Sequence, residues 1–376
     1  MAVLVMYLSL AGMLCWWAIL LAPWRAWSTR EQLEPSSSPE AKQSFDDVTV
    51  LIPARNEAQF IDQTLNGLQA QGEGLRIIVI DDQSEDHTAS LAGRRGVEVI
   101  SGTTPPKNWS GKLWALNQGL QQVRTRYTLL LDADISLSSG ILGALLNKAR
   151  QENLSLVSLM AELPVQRFSE RLLVPAFIFF FKLLYPFKLS NESKSRMAAA
   201  AGGCILVETG VLRSIDAFTS IHHALIDDCA LAAQVKQAGF KTWIGLSHAV
   251  QSHRGYDSLA AIWNTVARTA FTQLHYSSLL LLLCTLIMSS MFWCAPLSAI
   301  IYTDTIFVVS SILAWLAMLI VYTPVLRFYR SSPLWVIVLP LIGTLYLMMT
   351  WTSAFRYWRG VRAHWKNRRY ETSEHN

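Results

Sequence analysis

The chain has 376 residues, of which 52% are hydrophobic and only 16% are charged, and its net charge is +5. Soluble domains carry roughly 25% charged residues, so this composition argues against a chain that is soluble throughout. Nucleic acid is excluded as the partner, because the basic residues cluster beside apolar segments, where they suit anionic lipid headgroups.

The first segment, residues 1–24, contains no charged residue. About 20 apolar residues are enough for a helix to cross the hydrocarbon core of a bilayer. A cleaved signal peptide is the alternative, but it needs basic residues before the apolar run, and here Arg25 follows it. We therefore interpret residues 1–24 as an uncleaved transmembrane anchor. Residues 25–47 follow as a polar linker, and its Pro35–Pro39 segment predicts flexibility.

The next part of the chain alternates between short apolar runs and helix patterns. Strands are predicted at Val48–Ile52, Arg76–Ile80, Val97–Ile100, Tyr127–Leu131 and Leu154–Met160, and helices at Glu57–Gln71, Glu85–Arg95, Lys112–Val123 and Ser139–Gln151. Strands without polar alternation, separated by helices, predict a parallel sheet covered on both faces. Ligands bind such sheets at the carboxyl ends of the strands, so chemically active residues are expected directly after the apolar runs.

Residues 167–188 combine phenylalanine and leucine with Arg171, Lys182 and Lys188. Their charge-free run, residues 172–181, is too short to cross a bilayer. We interpret residues 167–188 as an interfacial helix lying in the headgroup plane, and a buried core helix is the alternative. Residues 277–355 contain about three further transmembrane segments, and residues 356–376 form a basic tail.

Cysteine usage and charge placement predict the compartment. The five cysteines form no Cys-x-x-Cys pair, which argues against a zinc site or a disulfide framework and suits a reducing, cytosol-facing domain. The uncharged N-terminus, followed by Arg25 and Arg30, predicts a multi-pass protein of the inner (plasma) membrane with its central domain in the cytoplasm. Three further spans would place the basic tail outside, against the same rule, unless one segment is re-entrant or interfacial.

Two acidic pairs follow predicted strands. Asp81 and Asp82 come after the second strand, where a carboxylate can accept a hydrogen bond from a base or a ribose, although capping and turn chemistry is the alternative. Asp132 and Asp134 follow Leu129–Leu131. Two carboxylates with this spacing can bind one Mg²⁺ or Mn²⁺ ion, whose other positions take diphosphate oxygens.

A third acidic pair and two cations complete the candidates. Asp227 and Asp228 open a helix pattern, where the helix dipole favours acidic residues, but where a carboxylate can also act as a general base. Lys112 begins another predicted helix, and its ammonium and the helix amides can both face a diphosphate. Arg268 lies just before the C-terminal apolar segments, and taken alone it is a solvated surface charge.

In this order the motifs resemble the family-two inverting glycosyltransferases. The matching segments are Val50-Leu51-Ile52-Pro53-Ala54-Arg55-Asn56-Glu57, Asp81-Asp82-Gln83-Ser84, Gly111-Lys112, Asp132-Ala133-Asp134 and Asp227-Asp228. The nearest likeness is to the hopene-associated glycosyltransferase group, and ceramide glucosyltransferases are more distant. The resemblance implies an α/β GT-A fold, with a Rossmann-like, mostly parallel sheet, for residues 48–276.

Carried onto this sequence, the resemblance implies a donor site for a UDP-sugar. Asp82 would contact the uracil or the ribose, and Pro53 and Glu57 belong to the same donor-binding motif. Lys112 and Arg268 would bind the diphosphate. Many membrane-bound relatives have Gln-x-x-Arg-Trp around this arginine, but only the arginine is present here.

The resemblance also implies the metal ligands and the base. Asp132 would bind nucleotide and metal, with Asp134 the more direct ligand of Mg²⁺ or Mn²⁺. Asp228 would be the general base. The base motif is Asp-Asp where Glu-Asp is more usual, which leaves both Asp227 and Asp228 open.

The expected reaction is the transfer of a sugar from a nucleotide-sugar to a lipid acceptor, with inversion, and the resemblance suggests a hopanoid or a similar polycyclic or sphingolipid-like alcohol. A processive polysaccharide synthase is the first alternative, which the incomplete Gln-x-x-Arg-Trp motif and the few C-terminal segments disfavour. A non-catalytic membrane scaffold is the second, which the presence of all the expected carboxylates disfavours.

Overall fold

The structure is a computed structural model that describes residues 2–35 and 44–360, and the backbone alone of residues 364–365 and 368–369. The chain forms two compact units. We call them the helical unit, which contains residues 1–30, 165–186 and 256–361, and the sheet unit, which contains residues 31–164 and 187–255. The chain therefore begins in the helical unit and returns to it twice, which the sequence interpretation did not predict.

The strands of the sheet unit form one mixed sheet. They are β1 (Val48–Ala54), β2 (Arg76–Asp81), β3 (Glu98–Ser101), β4 (Tyr127–Leu131), β5 (Ile135–Leu137), β6 (Leu156–Glu162), β7 (Cys204–Glu208) and β8 (Thr242–Ser252), in the spatial order β3-β2-β1-β4-β7-β6-β8-β5. The first four strands are parallel to one another, as predicted. Strand β7 is antiparallel to β4 and β6, and β5 is antiparallel to β8. Strands β5, β7 and β8 were not predicted.

The helices, in chain order, are α1 (Ala2–Leu21), α2 (Ile61–Gln69), α3 (Thr88–Arg94), α4 (Gly111–Leu120), α5 (Ile141–Glu152), α6 (Phe168–Leu184), α7 (Phe187–Asn191), α8 (Thr209–Ser214), α9 (Ala217–Ser220), α10 (Asp227–Gln237), α11 (Leu259–Thr269), α12 (Ser278–Ser289), α13 (Ala295–Ile301), α14 (Thr305–Phe328) and α15 (Leu339–Trp358). Helices α2 to α5 and α7 to α10 belong to the sheet unit. The predicted strands and helices up to residue 160 are confirmed to within a few residues at their ends.

Two apolar cores cover the two faces of the sheet. Val50 and Ile52 of β1 belong to one core, together with buried residues of α2 and α5. Leu51, between them, belongs to the other, together with buried residues of α4 and α10. Successive side chains of a strand point to opposite faces, so an unbroken apolar run such as that of β1 serves both cores at once.

The register brings the candidate residues to one edge of the sheet. Ala54 of β1 lies opposite Asp81 of β2, and Leu51 lies opposite Leu130 of β4. Because these strands are parallel, the residues directly after them emerge at the same edge. Cys204, the first residue of the antiparallel strand β7, lies opposite Leu131 and begins at this edge as well.

Within residues 2–35 and 44–360, the helical unit contains four helical stretches that are long and apolar enough to cross a membrane: Ala2–Leu21, Ser278–Ile301, Thr305–Phe328 and Pro333–Trp358. Helix α1 packs closely against residues 290–294. The indole N–H of Trp16 donates to the carbonyl of Met291 at 2.9 Å. A Cβ atom at Gly12 would lie 2.2 Å from the carbonyl oxygen of Ser290, so the contact requires glycine here.

Two segments differ from their sequence interpretations. The described part of the linker is not free, because Gln32 pairs with Leu246 of β8 and the Glu34 carboxylate accepts from the backbone N–H of His248 at 2.8 Å. Residues 36–43, within the predicted flexible linker, lie outside the described residues, as do the side chains of residues 361–376 in the basic tail. In α6, Phe180 contacts Tyr346, and most of its apolar side chains are buried in the helical unit, as the buried-helix alternative predicts.

Candidate active site

A cleft at the carboxyl edge of the sheet brings together five residues that the sequence singled out. Its lining includes Pro53, Lys112, Asp132, Asp227 and Asp228. They come from the ends of β1 and β4 and from the first turns of α4 and α10. Residues that are up to 175 positions apart in the chain therefore share one site.

The Lys112 ammonium lies among the carboxylates of this cleft. Its Nζ is 2.7 Å from Oδ1 of Asp132 and 3.8 Å from Oδ2 of Asp227. Burial lowers the pKa of Lys112, but the neighbouring carboxylates of Asp132 and Asp227 outweigh it and raise the pKa above its ordinary value. The lysine therefore keeps its positive charge, and it is available to an anionic ligand.

Asp228 has the environment of a proton acceptor. Its Oδ2 accepts from the backbone N–H of Gly202 at 2.8 Å, and its Oδ1 accepts from that of Cys229 at 2.7 Å. Burial, followed by the charge of Asp227, raises the pKa of Asp228 to about 6, although the two N–H donors and Lys112 act in the opposite direction. At neutral pH the carboxylate is ionised, and its proton affinity is higher than that of an ordinary aspartate.

A second group of site residues surrounds Asp134. The Nε of Arg254 donates to Oδ2 of Asp134 at 2.6 Å, and its Nη2 donates to Oε2 of Glu57. The backbone N–H of His253 donates to the carbonyl of Asp134 at 2.8 Å. Among the described residues, the buried Nε2 of His253 has no hydrogen-bond partner. The sequence interpretation missed His253 and Arg254 because it did not predict β8, although the last apolar residue of that strand, Val250, precedes His253 by only three positions.

Asp82 is buried beside the end of β1. Only 1% of the residue is exposed, and its backbone N–H donates to the carbonyl of Ala54 at 2.8 Å. The guanidinium of Arg55 donates to the backbone carbonyls of Asp82 at 2.6 Å and Gln83 at 3.0 Å. Asn56 and Gln83 have φ angles of 53° and 57°, a conformation that is uncommon outside glycine and is often found at functional sites. The predicted contact of Asp82 with uracil or ribose stays a prediction.

Two sequence predictions are not tested by this geometry. Arg268 lies on α11 of the helical unit and is exposed, so its predicted contact with a diphosphate stays a prediction. No group of three or more histidine, cysteine, aspartate or glutamate side chains that could hold a metal ion occurs within residues 2–35 and 44–360. The metal site at Asp132 and Asp134 is therefore also a prediction.

The mixed sheet, with acidic residues and a lysine at its carboxyl edge, is typical of the GT-A class of glycosyltransferases. Comparison with known proteins confirms this class. Residues 49–215 match the family model described as Glycosyl transferase family 2. These residues, which are fewer than half of the chain, are thus similar to a family 2 glycosyltransferase domain, and the predicted enzyme class, a glycosyltransferase, is confirmed.

Curated relatives match a part of this domain. The 4,4'-diaponeurosporenoate glycosyltransferase of Staphylococcus haemolyticus is 31% identical over 116 residues, which are 30% of this chain and 31% of the relative. The enzyme of the same name from Staphylococcus aureus strain MRSA252 is 33% identical over 103 residues, which are 27% and 28% of the two chains. The match thus spans about a third of the length of these relatives.

A solved structure with a similar fold covers nearly the whole chain. It is the mannosyltransferase PcManGT from Pyrobaculum calidifontis, in complex with GDP-Man and Mn²⁺, with a TM-score of 0.54 and 15% identity over 93% of this chain and 99% of that one. At this identity the likeness concerns the fold alone. The predicted GT-A-type α/β fold, with apolar helices that could span a membrane, is confirmed.

Proposed function

We propose that the protein transfers a sugar from a nucleotide-sugar, a UDP-sugar in our assignment, to a hydroxyl group of a lipid acceptor, with inversion at the anomeric carbon. The observation that carries the proposal is the environment of Asp228. A carboxylate with a pKa raised to about 6 lies in the same cleft as a lysine that stays protonated. One group accepts a proton and the other stabilises negative charge, and these are the two tasks of this transfer.

Asp228 would act on the acceptor. Its carboxylate takes the hydroxyl proton as the acceptor oxygen forms a bond to the anomeric carbon. The bond from that carbon to the diphosphate oxygen breaks at the same time, and because the oxygen enters from the opposite side the anomeric configuration inverts. The N–H groups of Gly202 and Cys229 fix both carboxylate oxygens, so the base is oriented before the acceptor binds.

Lys112 would act on the leaving group. Negative charge develops on the departing nucleoside diphosphate, and a fixed ammonium in a buried cleft stabilises it more strongly than water does. In the described structure this ammonium is paired with Asp132 at 2.7 Å, which holds it at the start of α4. Asp227 lies 3.8 Å from the same nitrogen and helps to hold Lys112 in place. Its negative charge also raises the pKa of Asp228, so we assign the base role to Asp228 and a supporting role to Asp227.

Asp132 and Asp134 are our candidates for holding a divalent cation. Their carboxylate oxygens would suit Mg²⁺ or Mn²⁺, which favour such ligands. When bound, such a cation would neutralise charge on the diphosphate.

A lipid acceptor accounts for the helical unit. Four helical stretches that could cross a membrane have no evident use for an enzyme with two soluble substrates. The names of the curated relatives, 4,4'-diaponeurosporenoate glycosyltransferases, support an acceptor of low polarity. The family resemblance of the sequence suggests a hopanoid alcohol, and because it carries the hydroxyl group that the proposed reaction needs, it is the acceptor to test first. The compound in the name of the relatives is a carboxylate, which has no hydroxyl proton to remove, so it serves as the comparison acceptor.

The test uses the full chain in detergent micelles. It is incubated in turn with radiolabelled UDP-glucose, UDP-galactose, UDP-N-acetylglucosamine and GDP-mannose, each with a hopanoid alcohol, with 4,4'-diaponeurosporenoate and with a total bacterial lipid extract. Thin-layer chromatography and mass spectrometry identify the product, and NMR of its anomeric proton gives the configuration. The Asp228→Asn variant is the control.

We expect one labelled lipid of discrete mass, with inverted configuration, that the control variant does not form. A product that retains the donor configuration would contradict the inverting mechanism. A ladder of increasing mass would support a processive polysaccharide synthase instead. Equal, background-level turnover by both proteins with every donor would support a non-catalytic scaffold.

A further inference from the structure

A cation that the sequence motifs do not include lies beside Asp134. Arg254 is the second residue after β8, and its guanidinium joins two carboxylates, since Nε donates to Asp134 at 2.6 Å and Nη2 donates to Glu57. Its Cζ lies 4.8 Å from the ring centroid of Phe60, which supports one side of the group. The position of the guanidinium is therefore fixed by three neighbours.

The guanidinium has hydrogen-bonding capacity left over. Arginine has five N–H donors, and the two carboxylates use one on Nε and one on Nη2. Its Nη1 makes no hydrogen bond to any residue within the described ranges. The side chain is 43% exposed, whereas those of Glu57 and Asp134 are 9% and 16% exposed. The carboxylates thus hold the arginine from the protein side, and its remaining donors are accessible to a ligand.

We propose that Arg254 binds the diphosphate of the donor, an inference that rests on the proposed function. The planar fork of a guanidinium matches the oxygens of a phosphate, and such pairs are stronger than bonds between neutral groups. Glu57 then has a defined task, because it keeps the guanidinium beside Asp134 when no donor is bound. Arg254 would supply, from the sheet unit itself, the cation that the sequence motif assigned to Arg268.

The test measures binding rather than turnover. Calorimetry with the full-length protein compares UDP with uridine, which has the base and ribose but no phosphate, in the presence of Mn²⁺. Arg254→Gln should weaken UDP binding about 10- to 100-fold, the effect of one lost charge-assisted hydrogen bond, and leave uridine binding unchanged. Arg126→Gln is the matched control, because Arg126 also pairs with a glutamate, Glu208 at 3.4 Å. The Arg126 side chain is 64% exposed and precedes β4, so it lies at the end of that strand opposite to the candidate active site.

A second readout separates diphosphate binding from metal positioning. Mn²⁺ alone is titrated into each protein and followed by electron paramagnetic resonance. Arg254→Gln should bind Mn²⁺ as tightly as the wild type or more tightly, because a positive charge beside Asp134 has been removed. A several-fold weaker Mn²⁺ affinity would overturn the proposal, since the arginine would then serve to place the metal ligand.

The remaining outcomes are also decisive. Unchanged UDP binding in Arg254→Gln, or an equal loss for UDP and uridine, would overturn the role of Arg254 and leave the proposed function intact. A wild-type protein that binds neither UDP nor GDP would refute the proposed function and this inference with it. Should Arg254→Gln fail to fold, the Arg254→Lys variant is measured instead, because lysine keeps the positive charge but lacks the planar fork. We expect this variant to bind UDP about 3- to 10-fold more weakly and to bind uridine as the wild type does. Wild-type affinity for UDP would overturn the inference.

Discussion

The replacement of Asp228 by asparagine tests the assignment of the base most directly. The variant keeps the size of the side chain but has no oxygen that can take a proton. General-base catalysis contributes about 10²- to 10⁴-fold, so kcat should fall by that factor, which corresponds to about 3–5 kcal/mol in the activation free energy. The variant loses one of the two hydrogen bonds that the carboxylate accepts from backbone N–H groups, because an amide has a single acceptor oxygen. It also removes a charge that the fold disfavours at neutral pH, since the pKa of Asp228 is raised, so no net loss in the free energy of unfolding is expected.

The pH profile supplies a second magnitude. A base acts only when it is deprotonated, so kcat/KM for the acceptor should be level above the pKa of Asp228, about 6, and fall tenfold per pH unit below it. Asp228→Asn should abolish this acidic limb. Asp227→Asn should move it to lower pH, because the charge of Asp227 is the second cause, after burial, of the raised pKa. A merely structural role for Asp228 would leave the shape of the profile unchanged.

The assay follows the release of UDP from the UDP-sugar in detergent micelles, between pH 4.5 and 8.5, with calorimetric UDP binding as the control. UDP affinity should stay within a few-fold of the wild type in both variants, since neither removes a cation from the donor site. An acidic limb that persists in Asp228→Asn would refute the assignment. Loss of turnover in Asp227→Asn, with activity kept in Asp228→Asn, would move the base to Asp227.

Three further predictions concern the metal, the cleft and the acceptor. Excess EDTA should abolish turnover, and Asp134→Asn should lower it at least 100-fold with an unchanged melting temperature; full activity in EDTA would contradict a metal-dependent reaction. Gly202→Ala would place a Cβ 3.3 Å from Oδ2 of Asp228 and 3.3 Å from Nζ of Lys112, so we expect several-fold lower kcat and weaker UDP binding by calorimetry. Wild-type values of both would contradict the prediction. If α6 helps the lipid to reach the site, Phe181→Ser should raise the apparent KM for the lipid more than the apparent KM for the donor. Phe180→Ser removes a ring contact inside the helical unit, so it should lower the melting temperature by several degrees. Equal KM changes for both substrates in Phe181→Ser would argue for a purely structural helix.

The first half of the sheet was predictable from the sequence because its information is local. Each of β1, β2 and β4 is an apolar run bounded by polar residues, and parallel pairing places the polar residues after each run at one edge. Asp132 could therefore be assigned to the site from the sequence alone. Lys112 was singled out for a different local reason, its position at a predicted helix start, and the fold brings its ammonium to 2.7 Å from Asp132.

The second half of the sheet was not predictable in this way. Strand β7 is antiparallel to both neighbours, and its partners β4 and β6 precede it by more than 40 residues, so no local pattern encodes the pairing. Without β8, nothing in the sequence marks His253 and Arg254 as neighbours of Asp134. These two residues belong to the site only because the end of β8 returns to the same edge of the sheet.

The sequence by itself determined which residue types carry the chemistry, since carboxylates after apolar strands and a lysine at a helix start follow from local rules. It also determined the apolar segments, because the length and the lack of charge that a membrane span requires are properties of a continuous stretch. The tertiary structure decided the protonation chemistry. The pKa of Asp228 depends on burial and on the charge of Asp227, and its hydrogen bond from Gly202 comes from a loop 26 residues away. Burial and electrostatic interactions depend on distances through space, and only the folded chain brings these groups within a few ångströms of one another.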